Sequence, residues 1–193
     1  EIDQMCRANR KIGLGVMGWA DLLFKMGIRY DSDEALDLAR KIGHFIQKEA
    51  WDADSALAEE KGCFANWKGS VWDTKFKRKM RNAHCVTIAP TGTISIIAGC
   101  SGGIEPIFSL SFVRQVMNGE TLFEVNPIFE QELDNLGLDA DAKSRVLQAA
   151  AEEGSISRID NLPEATRQVF RSARDIAPTN HVLMQAAWQE STD

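Results

Sequence analysis

Thr87-Ile88-Ala89-Pro90-Thr91-Gly92-Thr93-Ile94-Ser95 is the stretch on which the reading of this chain turns. Val86, Thr87 and Ile88 favour a short buried strand from Cys85 to Ala89, and Pro90-Thr91-Gly92-Thr93 interrupts it at once. Ile94 to Ala98 can open a helix. A strand that ends in small and hydroxyl residues and turns into a helix lets backbone N–H groups point outward together. Thr and Ser hydroxyls add neutral donors, and the helix start adds roughly half a positive charge. Such a turn can hold a phosphate without a lysine. A plain turn before an N-capped helix uses the same residues, and on local grounds the two readings stand side by side.

Downstream, Ser101-Gly102-Gly103-Ile104-Glu105-Pro106 combines two glycines with an acid pushed toward an extended conformation by the following proline. An exposed carboxylate beside a phosphate loop would repel its ligand. Glu105, with Gly103, is therefore expected to brace the loop by accepting backbone hydrogen bonds. Upstream, Gly13-Leu14-Gly15-Val16-Met17-Gly18 matches the G-x-G-x-x-G dinucleotide fingerprint. That chemistry requires a buried strand over 8–13 feeding the first glycine, and an acid about 20 residues on. Only Asn9-Arg10-Lys11-Ile12 precedes it, so small residues for close helix packing are the preferred reading, within a helix expected over Arg10 to Met26.

The rest of the chain reads as one helix-rich domain over 1–193 with a few strands. Asp31 and Glu34 form a capping-box pattern for a long helix that Gly62 stops. Val71 to Arg81 is a basic amphipathic stretch whose Lys75, Lys77, Arg78, Lys79 and Arg81 suit a solvated helix face. Phe108 to Val116 is strand-like, Asn126-Pro127 starts a helix, Ala142 to Glu153 continues as another, and Pro163 and Pro178 open two more. His44, His84 and His181 have neither a nucleophile nor a metal partner in sequence view, and Trp67 and Trp72 suit packing.

Composition sets outer bounds. The balance of 44% hydrophobic and 26% charged residues is that of a globular chain, and the net charge of −6 with dispersed bases argues against direct nucleic-acid binding. No stretch approaches the roughly 18 apolar residues of a membrane span. Cys6, Cys63, Cys85 and Cys100 form no C-x-x-C pair and have no histidine at metal-ligand spacing, which suits buried reduced thiols and no metal site, while the mixed-charge opening Glu1 to Lys11 and the lack of a span suit a cytoplasmic location. The opening residue is not methionine, which fits a piece of a longer chain.

Three segments in order carry a family resemblance. Arg10-Lys11-Ile12-Gly13-Leu14-Gly15-Val16-Met17-Gly18-Trp19-Ala20-Asp21-Leu22-Leu23 resembles the helix signature that follows the active-site cysteine segment in the large chain of ribonucleotide reductases. Thr87 to Ser95, with Gly99-Cys100-Ser101-Gly102-Gly103-Ile104-Glu105-Pro106, is similar to that family's substrate-phosphate loop and the segment after it. Pro178 to Gln189 resembles the helix before the closing barrel strands. Gly92, with Gly99-Cys100 following, looks like the adenosylcobalamin-dependent class II.

The resemblance implies an α/β fold, a helix-rich and incomplete fragment of a ten-stranded barrel. Ala89, Pro90, Thr91, Gly92, Thr93, Ile94 and Ser95 would bind the substrate's di- or triphosphate through main-chain amides. It implies a ribonucleotide substrate, radical reduction to the 2′-deoxyribonucleotide, adenosylcobalamin in the complete enzyme, a thioredoxin-type reductant and the remainder of the barrel as partners. A homo-oligomer is an admissible assembly. The asparagine, radical cysteine and glutamate motif is missing from these residues. None of the four cysteines takes its place, so the chain holds no catalytic residue and is expected to be inactive alone. Two alternatives remain in view: a noncatalytic helical or self-associating module derived from that family, and a nicotinamide-dependent dehydrogenase built on the Gly13 segment.

Overall fold

The computed structural model describes residues 1–115 and 121–193. Its elements are α1 (Ile2–Asn9), α2 (Trp19–Met26), α3 (Asp33–Lys61), α4 (Val71–Thr74), α5 (Gly92–Ala98), β1 (Ser111–Gln115), β2 (Thr121–Val125), α6 (Pro127–Asn135), α7 (Ala140–Glu153), α8 (Glu164–Val169) and α9 (Pro178–Gln189). The described chain, expected as one domain, falls into two compact units. Unit 1 takes Glu1–Val16, Asp37–Ala89 and Gln185–Asp193, and unit 2 takes Met17–Leu36 and Pro90–Met184.

Unit 1 is organised by two extended segments lying side by side. Arg10 leaves α1 with φ 50, and the backbone then runs straight rather than as the helix expected from Arg10. Leu14 makes a parallel bridge with Val86. Ile12 N–H donates to His84 O at 3.0 Å, Leu14 N–H to Cys85 O at 2.7 Å, and Thr87 N–H to Leu14 O at 2.9 Å. Small residues are required, as expected, but for backbones rather than for a helix. A Cβ at Gly13 would lie 2.6 Å from Thr87 Cγ2, and one at Gly15 only 2.7 Å from Thr87 O. Two glycines in four residues also weaken helix propensity, so the parallel pairing decides the local conformation.

Asp193 and Asp54 finish the pairing edge with carboxylates. Asp193 accepts from Cys85 N–H, from Val86 N–H at 3.0 Å and from Trp51 Nε1 at 2.6 Å. Asp54 is buried and takes the Arg81 and Asn82 amides. Phe64, Trp72, Met80, Cys85 and Val86 form the core behind them, with Trp51 edge-on to Trp72 at 4.9 Å. The basic stretch is exposed at Lys75, Lys77 and Lys79, as expected, but it does not form the helix face expected of it. Only Val71–Thr74 is helical, and Arg78 turns back to Asp52 at 2.5 Å while Lys79 reaches Glu59 at 3.1 Å. The acids of α3 offer these bases nearer partners than water does.

Unit 2 packs Phe24 of α2 against Leu110, Phe129, Leu133, Val146, Ala150, Ile156, Leu162 and Phe170. Asn126 Oδ1 accepts from the Ile128 and Phe129 amides, and Pro127 occupies the first helical position, so α6 begins where its sequence says. Asp139 caps α7 through Ala142 N–H. β1 and β2 pair antiparallel from Ser111 opposite Val125 to Gln115 opposite Thr121. The strand expected over Phe108 to Val116 thus starts at Ser111, and Val116 lies outside the described residues. The cap of α3 is Ser32, whose Oγ accepts from Ala35 N–H at 3.1 Å. Asp31 was the expected cap, but its carboxylate is held by Arg29 at 2.9 Å and by Arg171. Among the described residues no helix is long and apolar enough to cross a membrane.

Two outcomes follow from unit 1. Gly15→Ala forces a methyl against the Thr87 carbonyl and should destabilise the chain by about 1–3 kcal/mol in urea titration. Burial, reinforced by the charges of Asp54 and Asp193, pushes the Cys85 thiol from 9.0 up to about 12. Above pH 9 the unfolded thiol ionises while the folded one stays protonated, so the unfolded state binds fewer protons. Stability from this group is complete below pH 9 and drains as pH rises toward 12. Cys85→Ala should flatten that part of the pH profile of the urea midpoint.

Candidate functional site

The turn at Thr91 is built in an unusual backbone. Thr91 is the N-cap of α5 with φ 54 and ψ 27, a left-handed conformation that costs a residue with a Cβ roughly 1–2 kcal/mol. Its hydroxyl oxygen accepts from the buried Gly103 N–H at 2.6 Å, and this bond offsets the strain. A cap in this conformation also hands no side chain back to its own helix. The first α5 amide that finds an acceptor is that of Ser95, on Thr91 O at 2.9 Å. Among the described residues, the Gly92, Thr93 and Ile94 amides donate to nothing.

Those three residues are exposed, a Cβ at Gly92 would meet nothing within 4 Å, and the first turn of α5 holds no acid. Such an arrangement is electropositive and open, able to accept an anion. The surrounding candidates differ in what they offer. Pro90 is exposed but has no N–H, Ala89 is half-buried, and Ser95 is buried with its hydroxyl donating inward to Gly92 O at 3.2 Å. Thr93 keeps an exposed hydroxyl.

Behind the turn lies the Ser101–Gly103 loop, which seals the start of α2. Gly18 N–H donates to Ser101 O at 2.8 Å, Trp19 N–H to Gly103 O at 3.4 Å, and Asp21 N–H to Ser101 Oγ at 3.3 Å. The amides at this helix start, which a G-x-G-x-x-G segment would turn toward a pyrophosphate, are therefore occupied by two carbonyls and the Ser101 hydroxyl. Asn9 still belongs to α1, and residues 10–15 are exposed with one isolated bridge at Leu14, so the dehydrogenase reading fails both at the buried strand it requires over 8–13 and at the helix start.

Glu105 does not brace the loop as expected. It is exposed, and its carboxylate accepts no hydrogen bond among the described residues. Asp21 takes that part: Oδ2 accepts from Ser101 N–H at 2.7 Å and Oδ1 from Asn126 Nδ2 at 3.0 Å. Gly103 N–H donates to the Thr91 hydroxyl. Tyr30 adds a further tie, its hydroxyl donating to Ile104 O at 2.8 Å, and its pKa is raised by burial and then by the charge of Glu105. Asp21, Asn126 and Tyr30 escaped the sequence reading. Asp21 fell inside the helix expected from Arg10 and so gave no signal, and its partners are 80 and 105 residues away.

The family model for the ribonucleotide reductase barrel domain matches residues 1–193. The vitamin B12-dependent ribonucleoside-diphosphate reductase of Thermoplasma acidophilum is 49% identical over 193 residues, which is 100% of this chain and 24% of that protein. The enzyme of the same description from Mycobacterium tuberculosis is 42% identical over 195 residues, 100% of this chain and 27% of that protein. Among solved structures, the Actinobacillus ureae class Id ribonucleotide reductase alpha subunit superposes with a TM-score of 0.80 at 25% identity, covering 98% of this chain and 33% of its own. The chain thus spans about a quarter of the length of these curated relatives. On a match that runs from its first residue to its last, the chain belongs to the ribonucleotide reductase barrel-domain family.

Proposed function

We propose that this chain is part of the ten-stranded barrel of a class II ribonucleotide reductase, in which both units belong to one domain and the Thr91 turn seats the substrate's phosphates. The observation that carries this reading is the trio of first-turn amides on Gly92, Thr93 and Ile94, open to solvent with no acceptor among the described residues. Each can donate a charge-assisted hydrogen bond to a phosphate oxygen, and the Thr93 hydroxyl adds a fourth donor. The part is positional. Holding the phosphate fixes where the ribose lies, and small misplacement of a reacting group is costly in rate.

The reaction assigned to the whole protein is reduction of a ribonucleoside di- or triphosphate to its 2′-deoxy form, with electrons from a thioredoxin-type partner. Adenosylcobalamin would supply the radical. The described residues line two hollows in unit 2, of about 760 and 430 Å³, and neither carries a feature that assigns that group to this chain. None of the four cysteines is assigned the radical, and the expectation is that the chain by itself does not carry out the reduction. A second reading, a noncatalytic self-associating module, draws on the exposed Ile94, Ile96 and Ile97 of α5. It requires a concentration-dependent species in sedimentation that Ile97→Asp abolishes.

Gly92→Val is the direct test in the full-length reductase. A Cβ at Gly92 meets no neighbour within 4 Å, so the fold should hold while the amides are crowded. Nucleotide affinity should fall about tenfold, and affinity for the unphosphorylated nucleoside should not change. Equal nucleotide affinity in calorimetry would remove the phosphate role. Thr91→Val leaves the buried Gly103 N–H without its acceptor and should lower stability by about 1–3 kcal/mol, with Thr91→Ser close to wild type by thermal melting.

A further inference from the structure

The phosphate turn is held by a chain of bonds whose far end is a single carboxylate. We infer that Asp21 is a positioning residue for nucleotide binding, acting through the Ser101–Gly103 loop on the amides of α5; this rests on the phosphate reading above. Asp21 Oδ2 accepts from Ser101 N–H at 2.7 Å, its own N–H donates to Ser101 Oγ at 3.3 Å, and its Oδ1 accepts from Asn126 Nδ2 at 3.0 Å. Two residues on, Gly103 N–H donates to Thr91 Oγ1 at 2.6 Å, and Thr91 is the strained residue from which α5 departs. Little slack exists in between, since a Cβ at Gly102 would lie 3.2 Å from Pro90 O. A displacement of Ser101 is therefore passed to Thr91 and changes where the Gly92, Thr93 and Ile94 amides point.

The polarity of this link is specified at both ends. Asn126 Oδ1 is engaged by the Ile128 and Phe129 amides, so only its Nδ2 is available to face Asp21. Asp21→Asn keeps an acceptor for Ser101 but sets one amide nitrogen against another at Asn126. Exchanging the two residues, Asp21→Asn with Asn126→Asp, restores a donor facing an acceptor and leaves an oxygen to cap α6, a position where Asp serves as well as Asn.

In the full-length reductase, calorimetry with a ribonucleoside diphosphate and with the matching nucleoside separates positioning from stability. Asp21→Asn should weaken diphosphate binding about tenfold and leave the nucleoside unchanged, and the exchanged pair should return to within about threefold of wild type. In the Gly92→Val background, Asp21→Asn should add nothing, because the amides it orients are already blocked. If Asp21→Asn lowers the melting temperature but not diphosphate affinity, Asp21 is structural only and the proposal falls. If Gly92→Val itself leaves affinity unchanged, the phosphate reading falls first. Should Asp21→Asn fail to fold, Asp21→Glu, which keeps the charge and moves it by one methylene, and the exchanged pair carry the test; nucleotide affinity unaltered in Asp21→Glu overturns the proposal.

Discussion

A single half-buried carboxylate, that of Asp21, sets the register of unit 2. One oxygen holds the loop at Ser101 and the other holds the Asn126 side chain, which in turn caps α6 with its remaining oxygen. Three pieces of chain from distant parts of the sequence are thereby fixed by one group with no slack in donor or acceptor type. Each bond is modest alone, but leaving any partner buried and unpaired is costly, so the arrangement is specified by what would go wrong without it. The core of Phe24, Phe129 and Phe170 supplies the stability, and the polar links decide which of several tight packings is adopted.

Much of the helical order was readable where a local rule applied. Asn126-Pro127 declared the start of α6 and Gly62 the end of α3, because capping chemistry acts within a few residues. The failures share a cause. Arg10 to Val16 looked helical by its apolar spacing, yet its conformation is set by pairing with residues 84–87, a partner no window on the sequence contains. Asp31 carried the right pattern to cap α3, but Arg29 and Arg171 claimed its carboxylate and Ser32 took the place. In each case a long-range contact outweighed a local preference worth about 1 kcal/mol.

The shape of the Thr91 turn was legible in outline and its supports were not. Small and hydroxyl residues after a strand marked Thr91 to Thr93 as a place where amides could gather, and the amides are open. What the residue types could not show was the division of labour: Thr91 turns its hydroxyl toward Gly103, Ser95 turns inward, and Glu105 stands in solvent while Asp21 does the bracing. A carboxylate next to a glycine pair attracts attention in a sequence. One inside a helix signature does not, because first-turn acids are common for reasons of the dipole alone.

The helix α5 carries no charge along Gly92–Ala98, and its Ile94, Ile96 and Ile97 are 54%, 64% and 81% exposed. A surface laid over these isoleucines would gain from their burial and also expel water from beside the open amides, where a lower dielectric strengthens their attraction for an anion. Covering and anion capture are then linked equilibria on one short helix. With the proposed phosphate seated on these amides, a cover on the isoleucines would tighten its binding, and the phosphate would tighten the hold of the cover by the same factor.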